Sequence, residues 1–353
     1  MDASDSLNEK KFYNALCVLH RGDPLDMKKL QARFASWAEA WTRSVTGQKV
    51  DSEKEWDKLL ELGVSLAFRG DADFPALLAE AHDCPIAIYY KGDLLKDGKS
   101  IVVVGTRRAT PVAKGIAKDI ASQLAKSGVA VISGLAMGID AAAHEGALAG
   151  GGKTIAVLAN SLDSVYPRQN ENLAERILKA GGALISEYAL GSETFPNRFL
   201  ERNRIVSGLA PATLVIEAPE NSGSLVTANL ALEQNREVFV VPGPISHENY
   251  YGSHKLIRAG ARLVTSTAEI LEDLNWQIEA PAAEQLLGLP VAGLTSDERL
   301  IFDTLRSAGE ALEVDSIQEI TKMSIPAITR NLTFLQIKGL IKESGGRYYI
   351  SNR

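Results

Sequence analysis

The chain has 353 residues, 45% of them hydrophobic, and a formal net charge of −6. This length exceeds one ordinary domain, and the apolar content is ample for a packed core. The acidic balance excludes a basic protein that coats nucleic acid wholesale, so any polyanion site must be a local cluster. No apolar run approaches the roughly 18 residues of a membrane span, and the polar start Met1-Asp2-Ala3-Ser4-Asp5-Ser6 lacks signal-peptide character. Cys17 and Cys84 are the only cysteines, far apart and without ligand spacing. They predict a reducing, cytoplasmic setting with no membrane attachment, no disulfide framework and no metal site.

Up to about Arg69 the pattern is helical, with Phe12, Phe34, Trp37, Trp41 and Trp56 spaced as core residues. A helical N-terminal domain is expected over residues 1–72. Cys84-Pro85-Ile86-Ala87-Ile88-Tyr89-Tyr90 reads as an edge strand entering the next domain, expected over residues 73–276. There strand and helix alternate. Strands are predicted at Ile101–Val104, Val129–Ile132, Thr154–Leu158, Ala183–Ile185, Thr213–Glu217 and Val238–Val241. Helices are predicted at Val112–Lys126, Asp140–Leu148, Glu171–Lys179, Phe199–Gly208 and Ser224–Gln234. Nearly continuous apolar strands between helices imply an α/β, Rossmann-like, doubly wound and mostly parallel sheet. Thr110 before Pro111 supplies an N-cap hydroxyl and a proline at the first helical position. Residues 277–293 read as a linker. Beyond it, Asp297–Leu305, Val314–Lys322 and Ile325–Gly339 form helices, with Ile328, Leu332 and Leu335 on one face, and Gly345–Ile350 a hairpin. Three helices and a hairpin match a winged-helix domain over residues 294–353.

The most informative motif is Ser133-Gly134-Leu135-Ala136-Met137-Gly138-Ile139-Asp140, running on to His144 and following an apolar run. It reads as strand, phosphate-cradling loop and helix, because glycine admits a bulky anion and helix-start N–H groups point at it. The same arrangement precedes Gly105-Thr106-Arg107-Arg108, whose hydroxyl and guanidinium suit a phosphate. Arg168, after Tyr166-Pro167, is balanced between a turn and a phosphate contact. In Phe199-Leu200-Glu201-Arg202-Asn203-Arg204 the arginines suit phosphates and Phe199 suits base stacking, against a reading of salt-bridged helix start with Glu201 and Glu187. Ser222-Gly223-Ser224 before a helix makes a third anion nest. Neither G-x-G-x-x-G nor a Walker lysine motif is present, which argues against NAD and ATP, and no cofactor is predicted. Asp140 and His144 share a helix face but lack a third metal ligand. His144 is expected to be a structural, hydrogen-bonded histidine. A serine nucleophile at Ser133 or Ser224 would need G-x-S-x-G, which is missing.

Ser133–His144, Tyr166-Pro167, Arg202-Asn203-Arg204, Ser222-Gly223-Ser224 and Val241-Pro242-Gly243, in that order, resemble the DprA/Smf family of DNA-processing proteins. The resemblance extends from about Gly70 through Thr265, and more loosely over both ends. It implies an extended Rossmann-like domain that binds single-stranded DNA, dimerises, protects incoming DNA and loads the RecA recombinase during natural transformation. The family's DNA contacts map onto Gly105-Thr106-Arg107, Arg168 and Phe199. A SAM or helix-hairpin-helix-like N-terminal domain and a C-terminal winged helix are implied as well. Asn160-Ser161 stand where the family has glycine, Leu200 where it has proline, Asn221 where a basic residue is frequent, and His254 where asparagine is frequent.

A non-enzymatic mediator is therefore expected, its DNA interface made of Gly105, Thr106, Arg107, Ser133, Gly134, Gly138, Arg168, Phe199, Arg202, Asn203, Arg204, Ser222, Gly223 and Ser224. A homodimer contact is expected at Leu256 and Ile257 on the Gly252–Ala261 helix. The alternative is a phosphoribohydrolase-like nucleotide-processing enzyme, which Ser222-Gly223-Ser224 with Glu233 resembles faintly, without the Pro-Gly-Gly-x-Gly-Thr signature. A third reading places function in the winged helix as a transcription factor. Its balanced charge, with few basic residues beyond Arg330, Lys338, Lys342 and Arg347, makes it a weak duplex binder or a protein-contact module.

Overall fold

The structure is a computed structural model that describes residues 3–44, 50–95, 98–276, 294–308, 311–338 and 340–350. The expected linker at 277–293 lies outside the described residues. The chain divides into two compact units, residues 1–277 and 278–353.

In the first unit, helices α1 (Ala3–Leu19), α2 (Pro24–Arg33), α3 (Trp37–Ser44) and α4 (Ser52–Glu61) lead into β1 (Ser65–Phe68). Asp23 caps α2 through the Leu25 N–H, with Pro24 at the first helical position. Then follow α5 (Ala76–Glu80), β2 (Ala87–Gly92), β3 (Ser100–Gly105), α6 (Pro111–Lys126), β4 (Ala130–Ser133), α7 (Ile139–Ala149) and β5 (Thr154–Val157). The unit continues through α8 (Glu171–Lys179), β6 (Ala183–Ser186), α9 (Pro196–Gly208), β7 (Ala212–Ile216) and α10 (Gly223–Glu233). It ends with β8 (Glu237–Val240), α11 (Tyr251–Arg258), β9 (Arg262–Leu263) and α12 (Thr267–Asp273).

The strands form one nine-stranded sheet in the order β1-β2-β6-β5-β4-β3-β7-β8-β9. All neighbours from β6 to β9 are parallel, while β2 pairs antiparallel with both β6 and β1. The strand expected at the sheet edge is thus an inner one. Its partner β1 lies within the helical N-terminal segment, and the four-residue Ser65–Phe68 run gave no separate sequence signal. The start of α9 also differs. The helix begins at Pro196, three residues before the expected Phe199, because proline at the first turn replaces a polar cap.

Successive strand residues feed opposite faces, as the pleat requires. Ile88, Ile155, Val157 and Ile185 join a core with α5, α9 and α10 residues such as Leu78, Ile205 and Ala231. Ala87, Tyr89, Ala156 and Leu184 join the other, which includes Leu16 of α1, Trp41 of α3, Leu59 of α4 and Ile177 of α8. The N-terminal helices and the sheet therefore share a core. Both cysteines are buried free thiols. Among the described residues no helix is long and apolar enough to cross a membrane.

The second unit contains α13 (Ser296–Ala308), β10 (Leu312–Glu313), α14 (Val314–Thr321), α15 (Ile325–Ile337), β11 (Ile341–Ser344) and β12 (Arg347–Ile350). Its antiparallel sheet runs β10-β12-β11. Ile328, Leu332 and Leu335 are buried together against Ile301, Phe302 and Leu305, as their shared face predicts.

Candidate nucleic-acid interface

The chain leaves β3 toward β4, β5 and β6, and later fills the other side of β3 with β7, β8 and β9. Beyond the carboxyl ends of β3 and β7 the following loops diverge, which leaves the crevice of a topological switch point. A cleft of about 300 Å³ occupies that place. Its walls come from Gly105–Arg108 after β3, Gly134 and Ala136 after β4, one face of α9, and Pro219 to Thr227 around the start of α10.

The β3–α6 loop is tightly set. Gly105 pairs with Ile216, and a Cβ on it would run into the Ile216 carbonyl. The Thr106 N–H donates to the Glu217 carbonyl at 2.9 Å, and the Thr106 hydroxyl accepts from the Arg108 N–H at 3.2 Å. Thr106 is buried by these contacts, whereas Arg107 and Arg108 are exposed. The Arg107 guanidinium sits 5.0 Å over the half-buried Phe199 ring. Tyr166, itself exposed, meets that ring edge-on at 5.3 Å. Phe199 belongs to none of the described core clusters and forms part of the cleft wall. A cation over a π face and an open ring at one rim give a phosphate and a base adjacent partners.

The loop after β4 differs from the expected open phosphate cradle. The Asp140 carboxylate accepts from the Gly134 and Ala136 N–H groups at 3.1 and 3.4 Å. Arg202 donates to the Gly134 carbonyl at 2.7 Å and to the Val157 carbonyl, and the Asn170 amide donates to the Leu135 carbonyl at 2.8 Å. These backbone groups are consumed internally, so the loop is a rigid wall. Ser133 is wholly buried and donates to the Val103 carbonyl at 2.6 Å. Gly138, with φ of 85°, is buried against the neighbouring loop, where a Cβ would overlap the Thr106 carbonyl. Its role is to let two loops meet. Ser133 and Gly138 are thus corrected from DNA contacts to framework.

The three residues of α9 expected as polar DNA contacts separate in the same way. Arg202 lines the cleft but is 95% buried, with Asp140 as its charge partner. Burial pulls the guanidinium down to about 10, and it remains charged at neutral pH. Desolvation raises the Asp140 pKa, opposed first by Arg202. Asn203 donates to the Gly223 carbonyl at 3.3 Å and joins α9 to α10 across the cleft floor. Arg204 points away from the cleft. It forms a buried ion pair with Glu187 at 2.5 Å and donates to the Asp83 carbonyl at 2.7 Å. This is the salt-bridged reading, and it takes Arg204 out of the interface because successive residues of a helix face different sides.

Ser222 caps α10 by accepting from the Ser224 N–H, its hydroxyl 2.7 Å from that of Ser224. Ser222, Gly223 and Ser224 line the cleft, so the helix N-terminus opens onto it. Glu233 lies at the other end of that 11-residue helix, about 16 Å away by helical rise. The serine–glutamate pairing of a phosphoribohydrolase is not formed. Arg168 stands exposed on a short 3-10 turn outside the cleft lining. His144 is fully buried, its Nδ1 2.7 Å from the Thr154 hydroxyl, and burial pushes it down to about 3. It is the structural histidine expected. Leu256 is buried in the core, whereas Ile257 is only partly buried and packs against it, so of the two only Ile257 keeps an exposed part on α11. In the second unit Lys338 pairs with Glu298 at 2.8 Å and Arg347 with Glu313 at 2.9 Å.

Ten of the expected residues converge on the cleft: Gly105, Thr106, Arg107, Gly134, Phe199, Arg202, Asn203, Ser222, Gly223 and Ser224. Arg108 and Leu200, which lie within motifs that were read, and Asn221, which directly precedes one, also line it. Tyr166 carried a usable signal as an aromatic next to a proline turn.

Fold and site define a doubly wound α/β protein with an arginine- and ring-lined cleft at its switch point. The family of DNA recombination-mediator protein A matches residues 65–275. Protein Smf of Escherichia coli K12 is 38% identical over 291 residues, 79% of this chain and 75% of that protein. DNA processing protein DprA of Streptococcus pneumoniae is 42% identical over 209 residues, 58% of this chain and 73% of that one. An X-ray structure of DprA from Streptococcus pneumoniae superposes with a TM-score of 0.60 at 36% identity, covering 67% of this chain and 81% of that chain. DprA from Helicobacter pylori, described for its single-stranded DNA binding mode, gives 0.54 at 30% identity over 60% and 95%. The chain belongs to the DprA/Smf family of DNA recombination mediators.

Proposed function

We propose that this chain is a non-enzymatic mediator that binds single-stranded DNA across the switch-point cleft with little sequence preference. The observation that carries the reading is the Arg107 guanidinium stacked over Phe199 at the cleft rim, opposite the N-terminus of α10. A phosphate on the guanidinium edge leaves the next base free to reach the ring, and backbone-directed contacts of this kind carry no sequence code. In this proposal residues 73–276 bind DNA as a homodimer in the cytoplasm, without a cofactor. The N-terminal residues 1–72 and a winged helix at 294–353 flank that domain. The bound strand is protected and handed to the RecA recombinase during natural transformation.

The test is binding of labelled single- and double-stranded oligonucleotides of equal length across a salt series. Single strands bind more tightly, and log K falls with log salt by about 0.7 per neutralised phosphate. Equal or tighter duplex binding overturns the proposal. A monomeric mass by light scattering at micromolar concentration removes the dimer, and unchanged RecA assembly on the bound strand removes the loading role.

A further inference from the structure

Glu217 is a fully buried acid directly behind the arginine-bearing loop of an anion site, and its backbone φ is 50°. That combination is costly. A buried carboxylate needs hydrogen bonds, and a non-glycine residue in the left-handed region persists only where its surroundings hold it there. The surroundings here are two neighbouring loops. One carboxylate oxygen accepts from the Thr110 N–H at 2.7 Å and from the Thr110 hydroxyl at 3.3 Å. The other accepts from the Asn249 amide at 2.8 Å. The Glu217 carbonyl accepts from the Thr106 N–H at 2.9 Å. One residue therefore holds both ends of the Thr106–Thr110 loop, which carries Arg107 and Arg108. It also ties that loop to the segment before α11, while its own chain runs on to the Ser222–Ser224 wall.

We propose that Glu217 is a positioning residue for polyanion binding: it fixes the Thr106–Thr110 loop so that Arg107 stays over Phe199 and aimed at the cleft. The inference rests on the DNA-binding reading of that cleft. It assigns to this acid no contact with DNA. Its effect passes through Arg107, whose exposed guanidinium would otherwise sample many rotamers before meeting a phosphate.

The experiment is a double-mutant cycle of Glu217→Ala with Arg107→Ala, read as single-stranded oligonucleotide affinity and as its salt slope. Glu217→Ala is expected to weaken binding by about tenfold, the effect of one charge-assisted contact, and to lower the slope by about 0.7. In the Arg107→Ala background the same change is expected to do almost nothing, because the two act as one unit. Glu217→Gln is expected to restore most of the affinity, since it keeps an acceptor for Thr110 and can donate to Asn249 once that amide turns over. A purely structural role lowers the folded fraction and leaves the slope unchanged, which overturns the proposal, as do additive effects in the cycle. If Glu217→Ala fails to fold, Asn249→Ala on the half-buried loop is read in the same cycle, and additivity there also overturns it. If Arg107→Ala alone leaves affinity unchanged, the cleft reading fails rather than the role of Glu217 within it.

Discussion

Truncating Phe199 separates a binding ring from a packing ring in one protein. Its neighbours are the Arg107 guanidinium at 5.0 Å and the edge of Tyr166 at 5.3 Å, and the described core clusters do not include it. A core phenylalanine loses about 3–5 kcal/mol of stability on truncation to alanine. Here the folded state forfeits a cation–π contact of about 0.5–1 kcal/mol and an edge contact of about 0.5–1.5 kcal/mol. A loss of about 1–2.5 kcal/mol lowers the midpoint by roughly 2–10 °C, at roughly 2–4 °C per kcal/mol for a unit of this size. The binding loss matches or exceeds it. One base–aromatic stack contributes about 1–3 kcal/mol, or roughly 5- to 150-fold in affinity. Phe199→Ala should therefore weaken single-stranded oligonucleotide binding by tenfold or more while the thermal midpoint falls by no more than roughly 10 °C. Fluorescence anisotropy and a thermal melt on the same preparation give both numbers. A collapsed midpoint with unchanged affinity per folded molecule makes Phe199 a core residue and refutes the stacking role.

Arg107→Ala should weaken binding to all sequences and lower the salt slope by about 0.7, and Arg107→Lys should restore only part of it, since a fork becomes a point charge. Titration against oligonucleotides of varied sequence checks both. Gly134→Ala should destabilise the fold by about 1–3 kcal/mol, because its Cβ would lie 2.5 Å from the Arg202 guanidinium, which the Gly134 and Val157 carbonyls hold in place. Denaturant unfolding measures it. His144 is depressed to about 3 in the folded state against about 6.5 unfolded. The unfolded chain thus binds the extra proton, and its contribution to stability is present above pH 6.5 and lost as pH falls toward 3. His144→Gln should flatten that acid limb by up to one proton. Asp140, whose raised pKa acts in the opposite direction, is common to both proteins and largely cancels in the comparison.

Apolar run length and punctuation were enough to read the parallel sheet. Ile101–Val104, Thr154–Val157 and Ala183–Ile185 are buried on both faces, and a strand covered by helices on both sides needs no polar alternation. Gly105-Thr106-Arg107 and Ser222–Ser224 were legible for a related reason, and Phe199 from the arginines beside it in sequence. Doubly wound sheets place ligands beyond their carboxyl ends, so residues at those strand ends are candidates before any coordinate exists. What the sequence left open is where each polar group spends its hydrogen bonds. Arg202 and Arg204, two residues apart, read alike as phosphate contacts. Only the packing of α9 sends one to the Gly134 carbonyl and the other to Glu187. Ser133 and Gly138 look like an open nest until the start of α7 turns Asp140 back onto the Gly134 and Ala136 N–H groups, six and four residues earlier in the chain. Leu256 and Ile257 read alike as contact residues, and only the seating of α11 buries the first and leaves the second partly exposed. Periodicity reports which face of an element is apolar, and strand ends report where a site can be. Which partner each buried charge and backbone group meets depends on contacts between distant segments, and those are settled only when the sheet closes its layers.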